Sequence, residues 1–177
     1  GIIAIKLEEG DTLVGARHTR GNDEIILVSS AGYALRFHED DVRPMGRDTR
    51  GVKGIALGPD EHVVGMDGVV PGADLLVVSE TGVGKRTPLT EYPTYKRGAR
   101  GVITIQLVPE RHGRLVGVKA VTEGNDLMLV SEQGVLIRIP VEEVRRSGRN
   151  TQGVQLMNLD ANDRVSAIAQ VVTREEE

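Results

Sequence analysis

One short segment returns at a nearly constant interval, and this limits the possible folds more than any other feature. Gly1-Ile2-Ile3-Ala4-Ile5-Lys6-Leu7 recurs as Gly51-Val52-Lys53-Gly54-Ile55-Ala56-Leu57, as Gly101-Val102-Ile103-Thr104-Ile105-Gln106-Leu107 and as Gly153-Val154-Gln155-Leu156-Met157-Asn158-Leu159, at spacings of 50, 50 and 52 residues. Other features keep the register. A second apolar segment follows with Leu13-Val14-Gly15, Val63-Val64-Gly65 and Leu115-Val116-Gly117. A third reads Ile25-Ile26-Leu27-Val28, Leu75-Leu76-Val77-Val78 and Leu127-Met128-Leu129-Val130. A turn ending in Gly32, Gly82 or Gly134 leads to a fourth, which carries Arg36, Arg86 or Arg138. A period of about fifty residues is the mark of a repeat architecture.

The segments are short and punctuated by glycine, of which there are 22, and none has helical periodicity. The expected class is therefore all-β. The third segment is apolar at every position rather than alternating, as happens when both faces of a sheet are covered. With no helices available, the covering layers must be other sheets. Four short antiparallel strands per repeat, stacked face to face, describe propeller blades. A β-sandwich gives no reason for a fifty-residue repeat. The first hairpin of the repeat occurs four times and the second three times, which predicts a partial ring. Residues 1–20 are a leftover hairpin of a preceding blade, 21–70, 71–121 and 122–172 are blades, and 173–177 are an acidic tail.

The formal net charge is −4, but recognition depends on where charge sits. Between the fourth strand and the next Gly-Val, the loops read Arg43-Pro44-Met45-Gly46-Arg47-Asp48-Thr49-Arg50, Pro93-Thr94-Tyr95-Lys96-Arg97-Gly98-Ala99-Arg100 and Arg145-Arg146-Ser147-Gly148-Arg149-Asn150-Thr151-Gln152. Arg47, Arg97 and Arg149 share a register, as do Arg50 and Arg100, with Gln152 as the exception. Together with Arg36, Arg43, Lys53, Lys85, Arg86, Lys96, Arg138, Arg145 and Arg146, they make up well over half of the 22 basic residues. Repeating a blade repeats its basic edge, so a positive track is expected. All of these except Lys53 form the candidate DNA-binding set. Arginine binds phosphate oxygens bidentately and glycine lets the backbone approach. There is no recognition helix and no Asn/Gln cluster for base readout. The expected ligand is double-stranded DNA, held through phosphate charge and shape. With aromatics at only 2%, base stacking on a single strand is a poorer fit.

Catalysis finds little support. No cysteine occurs. His18, His38, His62 and His112 occupy different places in the repeat and read as exposed turn residues. Glu39-Asp40-Asp41 reads as a solvated charge run rather than a metal site. Gly82-Val83-Gly84-Lys85-Arg86-Thr87 lacks phosphate-loop spacing and sits in a hairpin. No cofactor is expected. No apolar run approaches the roughly 20 residues of a membrane span, and Gly1–Lys6 reads as a strand rather than a leader.

Three stretches carry a family resemblance: Val42-Arg43-Pro44-Met45-Gly46-Arg47-Asp48-Thr49-Arg50-Gly51-Val52; Gly82–Thr87 with Glu91-Tyr92-Pro93-Thr94; and Ser147–Val154. In these the sequence resembles the C-terminal, DNA-wrapping domain of the bacterial DNA gyrase A subunit, nearly end to end. The resemblance implies a β-pinwheel, a propeller variant whose blades exchange strands, and a non-catalytic role in bending DNA around the rim. It implies as partners the remainder of the gyrase A subunit, with the gyrase B subunit reached through it. It also implies ATP-dependent negative supercoiling by the whole enzyme in the bacterial cytoplasm. The family's full domain usually has six blades. This sequence resembles the last three and part of the one before. The family's Gln-Arg-Arg-Gly-Gly-basic-Gly box is absent, and Lys96-Arg97-Gly98-Ala99-Arg100-Gly101 is only a degenerate relative of it. The strand-breaking tyrosine belongs to the family's N-terminal core, so Tyr33, Tyr92 and Tyr95 read as packing or DNA-facing residues. The competing readings are a protein-interaction propeller and the C-terminal domain of the topoisomerase IV A subunit. Registered loop arginines disfavour the former.

Overall fold

In chain order the strands are β1 (Glu24–Ser29), β2 (Tyr33–His38), β3 (Val63–Gly68), β4 (Asp74–Ser79), β5 (Val83–Pro88), β6 (Val102–Ile103), β7 (Leu115–Val121), β8 (Asp126–Ser131), β9 (Leu136–Pro140), β10 (Val154–Gln155) and β11 (Val165–Val171). The structure, a computed structural model, describes residues 1–172, so the expected acidic tail at 173–177 lies outside the described residues.

The same turn chemistry builds three hairpins, β1–β2, β4–β5 and β8–β9. Gly32, Gly82 and Gly134 sit at φ of +86°, +85° and +86°, where an L side chain is strained. Each donates its N–H to the carbonyl of the serine three residues earlier, Ser29, Ser79 or Ser131. That serine's hydroxyl accepts the amide of the residue after the glycine, Tyr33, Val83 or Val135.

The three sheets run β3-β1-β2-β6, β10-β5-β4-β7 and β11-β8-β9. Every pairing between strands is antiparallel. The first sheet draws its hairpin from one repeat, β3 from the next and β6 from the one after. The pinwheel exchange is thus explicit: Ala34 pairs with Val102, and Gly84 with Val154. Two blades have four strands and the third has three among the described residues, a correction to three equal four-stranded blades. The Gly-Val segment that completes a blade lies two repeat starts downstream, and for β9 no such segment is among the described residues. Residues 1–20 form no strand and leave Ile2 76% exposed.

Two cores lie between the sheets. Ile26, Val28, Leu75, Val77, Tyr92, Ile105 and Leu115 fill the first; Leu76, Val78, Leu127, Leu129, Val144, Met157 and Val165 fill the second. β4 therefore sends alternate residues into opposite cores and is buried at all six positions. Along the inner edges of the sheets β3 packs against β7, and β7 against β11. At one register position they carry Asp67, Lys119 and Ala169, with Arg17 at the equivalent place before β3. Arg17 donates to Asp67 at 2.5 Å, Lys119 lies 4.0 Å away, and Asp67 also accepts the Ala120 amide.

His112 corrects the expectation for the histidines, being fully buried. The 52-residue spacing places two extra residues between Leu107 and Leu115, and these close a helical turn, α1 (Pro109–His112). The turn folds the ring inward, where Nδ1 accepts the Val108 amide and Nε2 donates to the Gln152 carbonyl.

Candidate nucleic-acid interface

The exchanged strands β6 and β10 are outermost in their sheets, opposite the inner strands. Loops 93–100 and 145–152 lead directly into them, which puts both loops on the outer rim. Loop 43–50 holds the equivalent place ahead of Gly51.

The loops 93–100 and 145–152 each dock on the blade before. Arg97 donates from its amide to the Asp41 carboxylate (3.1 Å), and from its guanidinium to the carbonyls of Asp41 (2.9 Å) and Lys53 (2.7 Å). Arg149 repeats the contact one blade on, with its amide 3.3 Å from Glu91 and its guanidinium 3.2 Å from the Ile103 carbonyl. Of the acids read from sequence as a solvated run, Asp41 is engaged in this way, while Asp40 is exposed. Glu39 accepts the amides of Gly21 and Asp23. Asp41 is held below the usual carboxylate range by hydrogen bonds from Lys96 and the Arg97 amide. Among the described residues no group of acids and histidines could hold a metal ion.

The candidate cations separate into two groups. Arg43, Arg47 and Arg145, with Lys53 beside them, are exposed and have no ion-pair partner among the described residues. Arg97 and Arg149 bond through their side chains only to carbonyls, so their charge is not neutralised by contact. Lys96 reaches Asp41, yet its side chain is 90% exposed. Arg50 pairs with Glu8 in solvent, and Arg146 with Asp74 and more distantly Glu123. Arg100 is committed further: it grips Glu61 with both terminal nitrogens and lies 4.0 Å over the Tyr33 ring. In the third repeat the pair is reversed, Arg111 donating to Gln152, which explains why the register breaks at that position.

Arg36, Arg86 and Lys85 point inward instead. Arg36 is bound by Glu24 and donates to the carbonyls of Leu89 (3.0 Å) and Tyr92 (3.3 Å) in the next repeat. Arg86, only 5% exposed, donates to Asp74, Glu123 and the Val144 carbonyl, each at 2.7 Å. Burial opposes its charge, but the hydrogen bonds it donates to Glu123 and Asp74 outweigh this and raise its pKa. Arg138 holds Asp126 at 2.6 Å and is otherwise 54% exposed. At this register Arg36 and Arg86 staple consecutive blades, while Arg138 ties only the two strands of its own hairpin. Sequence spacing alone could not separate a staple from a DNA contact, because both repeat with the blade. The acid at the start of the paired strand, Glu24, Asp74 or Asp126, is the signal that could have done so. The tyrosines divide similarly: Tyr92 is buried with its hydroxyl 2.5 Å from Thr104, Tyr33 lies under Arg100, and Tyr95 is exposed.

A set of sheets that take their outer strands from later repeats, with arginine-rich loops on the rim, defines the chain as a β-pinwheel of the propeller class. The family described as DNA gyrase C-terminal domain, beta-propeller, matches residues 1–20, 23–69, 73–122 and 125–171. The chain belongs to that family, which is the part of a type II topoisomerase outside the catalytic region. It is 49% identical to the DNA gyrase A subunit of Pseudomonas aeruginosa over 92% of this chain and 18% of the relative. It is 46% identical to the DNA gyrase A subunit of Deinococcus deserti over 100% of this chain and 22% of the relative. The chain thus spans about a fifth of the length of these curated relatives. Among solved structures, a DNA gyrase A C-terminal domain superposes with a TM-score of 0.91 at 31% identity, over 97% of this chain and 58% of that one. A crystal structure of the C-terminal domain of DNA topoisomerase IV gives 0.90 at 28% identity, over 96% and 53%. No helix among the described residues is long and apolar enough to cross a membrane.

Proposed function

We propose that this domain binds double-stranded DNA along its rim without sequence preference and bends it, serving negative supercoiling by a cytoplasmic gyrase whose B subunit binds the ATP. The observation that carries this reading is the ladder of loops, in which 93–100 docks on the blade of 43–53 and 145–152 on the blade of 93–103 through Arg97 and Arg149. A ladder fixes the spacing between successive positive loops, as a continuous phosphate backbone requires. Residues 21–70, 71–121 and 122–172 are the repeating units of that ladder, although each sheet takes strands from beyond them. The DNA-facing cations are Arg43, Arg47, Arg50, Lys96, Arg97, Arg145, Arg146 and Arg149, with Lys53 added. Arg36, Lys85, Arg86 and Arg138 serve the blades, and Arg100 is spent on Glu61 and Tyr33.

If each loop neutralises about two phosphates, log affinity falls with log salt at a slope near −5, nearly the same for any duplex sequence. Fluorescence anisotropy on unrelated duplexes across a salt series measures this. A flat response or a strong preference for one site excludes the reading.

Changing Arg47, Arg97 and Arg149 together to alanine is expected to weaken binding by at least tenfold and flatten the slope by about 3, since each phosphate contact contributes about 1. The melting temperature should move by only a few degrees, because the side-chain bonds lost at Arg97 and Arg149 run to carbonyls at the partly exposed rim. A folded triple variant with wild-type affinity would place the DNA on another surface.

A further inference from the structure

Lys85 is a buried ammonium that the DNA reading leaves without a role. It is 1% exposed and lies beneath loop 145–152. Nζ donates to the carbonyls of Gly148 (2.7 Å) and Arg149 (2.5 Å) and to Thr151 Oγ1 (3.0 Å), so each of its three protons has an acceptor in the loop. A cavity of about 180 Å³, lined by Lys85, Arg145, Ser147, Thr151, Gln152 and Val154, adjoins this contact. The loop is thus held here by polar bonds more than by packing.

The sister blade shows what Lys85 replaces. Leu35 occupies the same register on β2, fully buried, in an apolar cluster against which Ala99 packs. Ala99 is the register equivalent of Thr151. One blade therefore seats its rim loop with a Leu–Ala pair and the next with a Lys–Thr pair, two solutions to one geometric task. β9 carries Ile137 at this position, so the fold accepts an aliphatic side chain there.

We propose that Lys85 is a positioning residue for the DNA interface, an ammonium latch that fixes the Arg145–Arg149 loop on the rim and makes that loop alone responsive to pH. The proposal rests on the DNA-binding reading for its functional consequence and on this geometry for the latch. The charged groups facing Lys85 are Glu91, from the turn after β5, and Arg145 and Arg149, from the loop. Val77, opposite on β4, and Val154, on β10, bring none. Burial is the main influence and pulls the ammonium down to about 8; Glu91 opposes the shift and Arg149 adds to it. As pH rises through that value, a neutral amine with two protons faces three acceptors, and the loop loses a bond and the charge beneath it. Global stability moves the other way. The folded value lies below the unfolded 10.5, so between about 8 and 10.5 the unfolded chain binds the extra proton and the fold gains stability through this group as pH rises. Weaker DNA binding without a weaker fold is therefore the mark of the latch.

The test compares the wild-type chain with Lys85→Leu and with Lys85→Leu/Thr151→Ala, which reproduces the Leu35–Ala99 pair. Lys85→Leu should speed amide exchange at Ser147 and Arg149 about tenfold or more. It should also make the salt slope of DNA binding shallower by about 1, although Lys85 itself touches no phosphate. Wild-type affinity should fall between pH 7 and 9.5, and that of Lys85→Leu should stay level. The double variant should recover loop protection and slope while remaining insensitive to pH. Wild-type exchange at Ser147 and Arg149 in a folded Lys85→Leu chain would overturn the latch, and so would faster exchange with unchanged slope and pH profile. A wild-type chain with no DNA affinity would instead defeat the DNA reading, and the exchange arm would still decide whether Lys85 holds the loop.

Discussion

Replacing Gly101 with alanine is expected to lower the melting temperature by on the order of 10 °C, through a loss of about 3 kcal/mol or more. Gly101 sits at φ +83°, where an L residue costs roughly 1–2 kcal/mol. Space is the larger problem. A methyl group there would overlap the Ala34 carbonyl oxygen, with the carbonyl carbon at 2.7 Å and Leu35 Cα at 3.0 Å. All three belong to the backbone of β2, which is paired on both sides and cannot withdraw. Relief requires lifting β6 from the rim and, with it, Ile105 from the core between the first two sheets. Gly51 is the internal control. It occupies the same place in the repeat at φ +81°, yet the nearest atom to an added methyl is Ile5 Cδ1 at 3.9 Å. Gly51→Ala should cost only the backbone strain. Calorimetric melting of both variants is the check, and equal shifts would mean that the exchanged strand contributes nothing beyond its turn.

The second large effect is expected at Arg86. Arg86→Ala should destabilise the domain by about 3–5 kcal/mol, because it strips a buried charge of its partner. Asp74 is 2% exposed and would keep only the half-exposed Arg146. The Val144 carbonyl, which accepts from Arg86 Nε, would lose that bond as well. Arg138→Ala removes the same residue type at the same register but should cost about 1 kcal/mol or less, since that pair stands in solvent. Urea denaturation separates the two cases. Similar small losses for both would show that the staple does not hold consecutive blades together.

The contrast between Arg86 and Arg138 also shows why the interface could be read only in part. Arg47, Arg97 and Arg149 lie in loops, and their repetition located the rim. Arg36, Arg86 and Arg138 repeat as faithfully, yet the first two join blades and the third pairs within its own hairpin. Register records that a position serves every blade equally and leaves open whether it serves DNA or the next blade. Lys85 was harder to place, because a lysine between glycine and arginine looks exposed until the loop that covers it, more than sixty residues later, is folded back. His112 was misplaced for the same kind of reason: the local pattern is that of a turn, and its burial depends on the strand entering from Gln152.

Residue order was enough for the all-β class, the third-and-fourth-strand hairpins, the glycine turns and the spacing of the basic loops. All of these follow from local chemistry: strand length, positive φ and charge at fixed spacing. Which repeat supplies which strand emerged only when the sheets assembled, since a two-residue pairing such as Ala34 with Val102 leaves almost no local trace. Burial was fixed at the same level. β1, β4 and β8 have nearly the same apolar sequence, but only β4, with a sheet on each face, is buried at every position. The charges were settled in the same way, because a cation's freedom to meet a phosphate depends on whether the neighbouring blade has already supplied its partner.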